Sequence, residues 1–202
     1  MSVKAGAVDL ILLAAGAARR MAGRDKLLEP VDGRPLLATL AERALASRAR
    51  EVLVVLPPEC PARRAALAGL RVRIVLADGH AEGMGASLRA GMAALASDAA
   101  AVVVMLGDMP EVTALAIDAL ITAHADGGAI CRAVDPRGGP GHPVLFGRRH
   151  FAALAASAGD AGARALIRSE GARVVEVPLP GATVDLDTPE DWAAWRAANP
   201  GR

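Results

Sequence analysis

Leu10-Ile11-Leu12-Leu13-Ala14-Ala15 is an uninterrupted apolar run that stops at Gly16. Six apolar residues in succession leave no solvent face, so the segment reads as a strand buried on both sides, as in a parallel sheet covered by helices. Parallel neighbours need long crossover connections, which are usually helical. This one stretch therefore commits the chain to an α/β architecture.

The remaining sequence supplies the alternation. Strands are read at 51–56, 72–76, 101–106, 129–134, 144–146, 173–177 and 184–187. Helices are read at 36–47, 62–70, 86–95, 112–125 and 149–157, with a further one opened by Asp160 as N-cap and carrying Arg164. Thr188-Pro189-Glu190-Asp191 starts the last helix, with Thr188 capping, Pro189 at the first position and acids in the first turn. Segments 77–85 and 135–143 are loops. Strands alternating with helices imply a mostly parallel sheet inside a three-layer α/β/α sandwich, one domain over residues 1–202.

Global composition narrows the function. The 202 residues carry a net charge of +1, so nothing in the overall balance calls for nucleic acid. No apolar run has the ~20 residues that span a bilayer, and no secretory signal precedes the first strand. Cys60 and Cys131 share no metal-like spacing. A cytoplasmic protein is the expectation. Any basic function is local.

It is local at one place. The turn after the first strand is built of small residues and followed by Arg19, Arg20, Arg24 and Lys26. Small residues let backbone N–H groups approach an anion, and the cations add charge, which together describe a polyphosphate cradle. It matches neither the Walker A spacing nor the dinucleotide Gly-x-Gly-x-x-Gly. Only Lys4 and Lys26 are lysines among the 23 cations, so Lys26 stands where a compact point charge is wanted.

Ligands of open α/β sheets bind beyond the carboxyl ends of the strands. Asp108, just past the strand 101–106, is placed there to hold Mg²⁺ against phosphate oxygens. Asp185 and Asp187, two apart on the strand 184–187, point to one face and offer a second metal ligand. Gly83-Met84-Gly85-Ala86-Ser87 opens a helix, so its free amides and the Ser87 hydroxyl either contact the nucleotide or, for Ser87, cap the helix. His142 in its Gly/Pro turn reads equally as structural or as lining a substrate pocket, and Arg164 equally as solvated or as meeting a phosphate.

Leu13-Ala14-Ala15-Gly16 with Arg20-Met21 and Lys26 resembles the opening motif of the nucleotidyltransferases that attach a nucleoside monophosphate to molybdopterin. The resemblance continues through Gly83–Leu88, Gly107-Asp108-Met109-Pro110, Gly141-His142-Pro143 and Asp185-Leu186-Asp187, over nearly the whole chain. Ala18 and Ala22 depart from it, standing where the family often has Ser and Gly.

The resemblance implies a Rossmann-like nucleotidyltransferase fold and transfer of CMP from CTP to the terminal phosphate of molybdopterin, with release of pyrophosphate. CTP is favoured over GTP by Ala15, where guanylyl-transferring relatives more often carry Gly. It further implies nucleotide binding by Leu13, Ala14, Ala15, Gly16, Arg20, Lys26, Gly83 and Ser87, and catalysis by Arg20, Lys26 and Asp108. Mg²⁺ would sit on Asp108 with Asp187 or Asp185, and the acceptor on His142 and Arg164. Guanylyl or sugar-phosphate transfer on the same fold remains an alternative. So does a non-catalytic cofactor carrier serving a molybdenum hydroxylase.

Overall fold

The structure, a computed structural model, describes residues 7–17, 20–125, 127, 129–156 and 162–202. Its seven-stranded sheet is built from β1 (Val8–Leu13), β2 (Val52–Leu56), β3 (Arg73–Leu76), β4 (Ala101–Leu106), β5 (Ile130–Val134), β6 (Pro140–Gly147) and β7 (Val174–Pro178). Helices α1 (Leu36–Leu45), α2 (Pro61–Ala66), α3 (Met84–Ala93), α4 (Ala114–Ala125), α5 (Phe151–Ala155), α6 (Gly162–Glu170) and α7 (Pro189–Ala198) connect and cover it. No described helix is long and apolar enough to cross a membrane.

The strand order is β3-β2-β1-β4-β6-β5-β7. β1 pairs in parallel with β2 and β4, β2 with β3, and β5 with β7, whereas β6 runs antiparallel to both neighbours. All six residues of β1 are buried: the apolar run from Leu10 requires it, and Asp9 ahead of that run is buried as an ion pair with Arg50 at 2.8 Å. Alternate side chains serve the two layers. Leu10 and Leu12 pack in the core with α1, α4 and α7, while Ile11 and Leu13 pack with α3, α5 and α6. A three-layer α/β/α sandwich results.

Two expectations are corrected. Segment 135–143 is only partly loop, because β6 begins at Pro140. Asp135 N–H donates to the Gly139 carbonyl at 2.9 Å, closing a tight turn that allows an antiparallel hairpin. Pro and Gly suppress the strand signal in Pro140-Gly141-His142-Pro143, and the ladder is irregular at that end. Second, 184–187 is not a strand. Its alternating Val-Asp-Leu-Asp pattern finds no sheet edge, and Leu186 N–H instead donates to the Asp108 carbonyl at 3.0 Å.

The start of α7 follows its sequence signature. Thr188 Oγ1 accepts from Asp191 N–H at 3.1 Å, and the Asp191 carboxylate accepts from the N–H groups of Thr188 and Asp187 at 2.8 and 3.1 Å. This capping box also fixes the backbone that carries Asp187.

Candidate active site

β1 and β4 end side by side, and the segments beyond them form the floor of a cleft of about 470 Å³. Leu13, Ala14, Ala15, Gly16, Arg20, Lys26, Gly83, Ser87 and Asp108 all line it. The volume falls in the range of small-molecule sites.

The turn after β1 leaves the sheet ladder. Ala14 N–H still donates to the Val55 carbonyl at 2.9 Å, continuing the ladder to β2. Beyond it, among the described residues, no acceptor meets the N–H of Ala15, Gly16 or Ala17. Successive free amides of this kind bind anionic oxygens. On the opposite side Gly83, at φ +114°, ends the short turn His80–Glu82 and starts α3. The helix thus begins earlier than its sequence indicates. Ser87 lies inside its first turns, is buried, and is not the cap.

Lys26 is the centre of the charged cluster. Its Nζ donates to Asp108 Oδ2 at 2.8 Å and to Asp187 Oδ1 at 2.5 Å. Arg20 Nη2 reaches the other Asp187 oxygen at 2.9 Å from a largely exposed position. Burial works against the Lys26 charge, yet the Asp108 and Asp187 carboxylates outweigh it and hold the ammonium above the ordinary lysine range. Asp185 is exposed and, among the described residues, makes no hydrogen bond or ion pair; the structure brings Asp187, not Asp185, to Lys26. Arg24 pairs with Glu29 at 3.2 Å, outside the cluster, and Arg19, Ala18 and Asp160 lie outside the described residues.

The donor set suits a divalent cation. Asp108 Oδ1 is buried and has no hydrogen-bond partner among the described residues, an orphaned anionic oxygen beside a second carboxylate. Among those residues no cluster holds three or more His, Cys, Asp or Glu. Two carboxylates with phosphate oxygens completing the shell is the habit of Mg²⁺ rather than of an all-protein cage.

His142 and Arg164 lie elsewhere. They line a smaller, mainly apolar cavity of about 50 Å³ that shares Leu13 and Met84 with the cleft. Burial pushes the His142 imidazole below its ordinary pKa, and the Arg164 charge adds to this; the Val104 carbonyl and Asp108 oppose it without prevailing. His142 Nδ1 is buried without a partner among the described residues.

Two residues in the site carry no sequence mark. His80 lines the cleft, its Nδ1 3.1 Å from the Ala77 carbonyl. Arg63 of α2 is buried beneath the cradle. It donates to the carbonyls of Ala14 and Gly16 at 2.6 and 3.0 Å, and through Nε and Nη2 to both Asp25 oxygens at 2.7 and 3.0 Å.

A mostly parallel sheet, a turn with free backbone amides after β1 and a lysine held between two carboxylates beside that turn suit a nucleotidyltransferase. The chain belongs to the family of the MobA-like NTP transferase domain, whose model matches residues 10–174. It is 33% identical over 166 residues to nicotine blue oxidoreductase of Paenarthrobacter nicotinovorans, covering 79% of this chain and 81% of that protein. It is 29% identical over 203 residues to the purine catabolism protein PucB of Bacillus subtilis, covering 93% and 95%. Among solved structures, Rv0371c of Mycobacterium tuberculosis superposes with a TM-score of 0.82 at 30% identity over 95% of this chain and 98% of that one. The same protein has also been solved in complex with manganese.

Proposed function

We propose that this protein transfers CMP from CTP to the terminal phosphate of molybdopterin and releases pyrophosphate. The observation that carries the reading is the Lys26 ammonium bridging Asp108 and Asp187 at the mouth of the cradle. A half-buried cation and two carboxylates facing free backbone amides suit a reaction whose difficulty is charge on a polyphosphate, not covalent work by the protein.

The amides of Ala15, Gly16 and Ala17, with Arg20, hold the triphosphate so that its α-phosphorus faces the acceptor. The acceptor phosphate is already an anion near neutral pH, so its oxygen attacks in line without a general base and pyrophosphate departs. Lys26 shifts its hydrogen bonds from carboxylate toward the non-bridging α-phosphate oxygens, where negative charge grows. Asp108 and Asp187 hold Mg²⁺, which supplies charge neutralisation on the phosphates when bound. Positioning and preorganised charge therefore provide the rate. His142 and Arg164 lie next to the cleft through Leu13 and Met84, on the side proposed for the acceptor. Preference for CTP is supported by Ala15 in Leu13-Ala14-Ala15-Gly16, through its resemblance to cytidylyl-transferring enzymes.

Pyrophosphate release from CTP, GTP, ATP and UTP, each with molybdopterin and Mg²⁺, tests the reading. CTP is expected to be used well above the others. Turnover with GTP alone refutes the nucleotide choice. Tight cofactor binding with no turnover of any nucleotide refutes the enzyme and favours a carrier.

A further inference from the structure

Arg63 is one arginine among many in this sequence, yet among the described residues it is the only buried one, with a side chain 7% exposed. Its guanidinium spans three segments that are distant in sequence: the turn after β1, the start of the Lys26–Leu28 turn, and its own helix α2. We infer that Arg63 is a positioning residue for the nucleotide, setting the cradle amides and Lys26 together; this rests on the function proposed above.

The geometry argues for it from both ends. A peptide unit that turns its carbonyl one way turns the following N–H the other way, because the unit is planar and trans. Arg63 holds the Ala14 and Gly16 carbonyls on its own side, at 2.6 and 3.0 Å. The N–H groups of Ala15 and Ala17 are thereby turned away from Arg63, and both residues line the cleft. The same guanidinium grips Asp25 with two hydrogen bonds, at 2.7 and 3.0 Å. Asp25 in turn caps the Lys26–Leu28 turn by accepting from Leu27 N–H at 3.0 Å. One planar group therefore fixes the donors that meet the triphosphate and the backbone from which Lys26 reaches its carboxylates. Its own charge is matched by Asp25, so its contribution at the cleft is geometric rather than electrostatic.

Only a fork can do this. A lysine at 63 brings the charge to Asp25 but cannot address a carboxylate through two nitrogens and two carbonyls at once. Arg63→Lys, Arg63→Ala and Asp25→Asn are the informative variants in the full-length protein. The readouts are the dissociation constant for CTP with Mg²⁺ by calorimetry, KM and kcat by pyrophosphate release, and thermal melting. Arg63→Lys is expected to weaken triphosphate binding and raise KM about 10- to 100-fold, the penalty of an ångström-scale misplacement. Asp25→Asn is expected to do the same in smaller measure, and the double variant to lose less than the product of the two, since both act through one contact.

A merely structural Arg63 predicts something different: a lower melting temperature and fewer active molecules, with KM and the dissociation constant of the folded fraction unchanged. That result overturns the inference. If Arg63→Ala does not fold, Arg63→Lys and Asp25→Asn decide alone. Wild-type protein that binds no triphosphate refutes the proposed function. A wild type that binds, with Arg63→Lys binding equally tightly, refutes only the role of Arg63.

Discussion

Replacing Lys26 with methionine keeps most of the side-chain length and removes the charge between two carboxylates. The two hydrogen bonds, 2.8 Å to Asp108 and 2.5 Å to Asp187, limit the separation of those oxygens to about 5.3 Å. At that distance two negative charges repel by about 0.8 kcal/mol in water and about 3 kcal/mol at the effective dielectric of about 20 that suits a half-buried site. Loss of the bridge therefore destabilises the protein by roughly 1–3 kcal/mol, a fall of about 2–12 °C in melting temperature for a chain of this size. The ammonium is held above the ordinary lysine pKa, so its stabilising effect is complete below the unfolded value near 10.5 and fades only as pH rises through the higher folded value. Melts at pH 7.5 therefore compare a fully charged lysine with a neutral methionine. The assay is differential scanning fluorimetry in EDTA and in rising Mg²⁺ or Mn²⁺. In the wild type a divalent ion must displace Lys26 and shifts the melt little. In Lys26→Met the ion enters a ready pair of carboxylates, and at about 100 times its dissociation constant adds about 2.7 kcal/mol. Asp187→Asn in the Lys26→Met background should remove most of that gain. A Lys26→Met protein that melts like wild type in EDTA, with no response to divalent ions, refutes the cation-site reasoning.

Asp108→Asn should lower turnover by about 10²-fold or more, the scale of removing one electrostatic contact to the transition state, while far-UV circular dichroism is unchanged; a wild-type rate refutes its metal role. His142 titrates below its ordinary value because it is buried, so below about pH 6.5 the unfolded chain binds more protons than the folded one and stability falls with pH. His150 contributes in the same direction, also through burial. His142→Gln should flatten the fall between pH 6.5 and 5 in denaturant titrations, and an unchanged slope refutes the assignment. A Cβ at Gly141 would sit 1.9 Å from the Ala182 carbonyl oxygen, which also accepts from His142 N–H at 2.9 Å. Gly141→Ala must push the 182–187 segment away, costing about 1–3 kcal/mol by overpacking and displacing Asp187. Its melting temperature and kcat should both fall, and wild-type values of either refute the coupling.

What could be read in advance follows from how local each signal is. β1 and β4 declare themselves because short apolar runs bounded by glycine, residues 10–15 and 101–106, suit a strand buried on both faces. The start of α7 declares itself because its cap, proline and acids lie within four residues. The opening of β6 was hidden because strand pairing there is imposed by the hairpin against residues poor in β-propensity. Segment 184–187 misled for the opposite reason: alternation describes a strand, but only a free sheet edge makes one. Arg63 was illegible in principle. Its partners lie 38 to 49 positions away, and in a chain this rich in arginine no local pattern separates a buried fork from a solvated one.

The same failed strand explains how the site closes. A strand at 184–187 would have spent the Leu186 amide on a sheet neighbour. Left unpaired, that amide donates to the Asp108 carbonyl, while Leu186 itself is buried in the core with the α7 tryptophans. The segment is thus stitched to the end of β4, and the α7 capping box fixes it from the other side by accepting Asp187 N–H. Asp187 is consequently brought to Asp108 by backbone contacts that owe nothing to Lys26. The two carboxylates should remain neighbours when the lysine turns to a phosphate, which a site alternating between ammonium and metal requires.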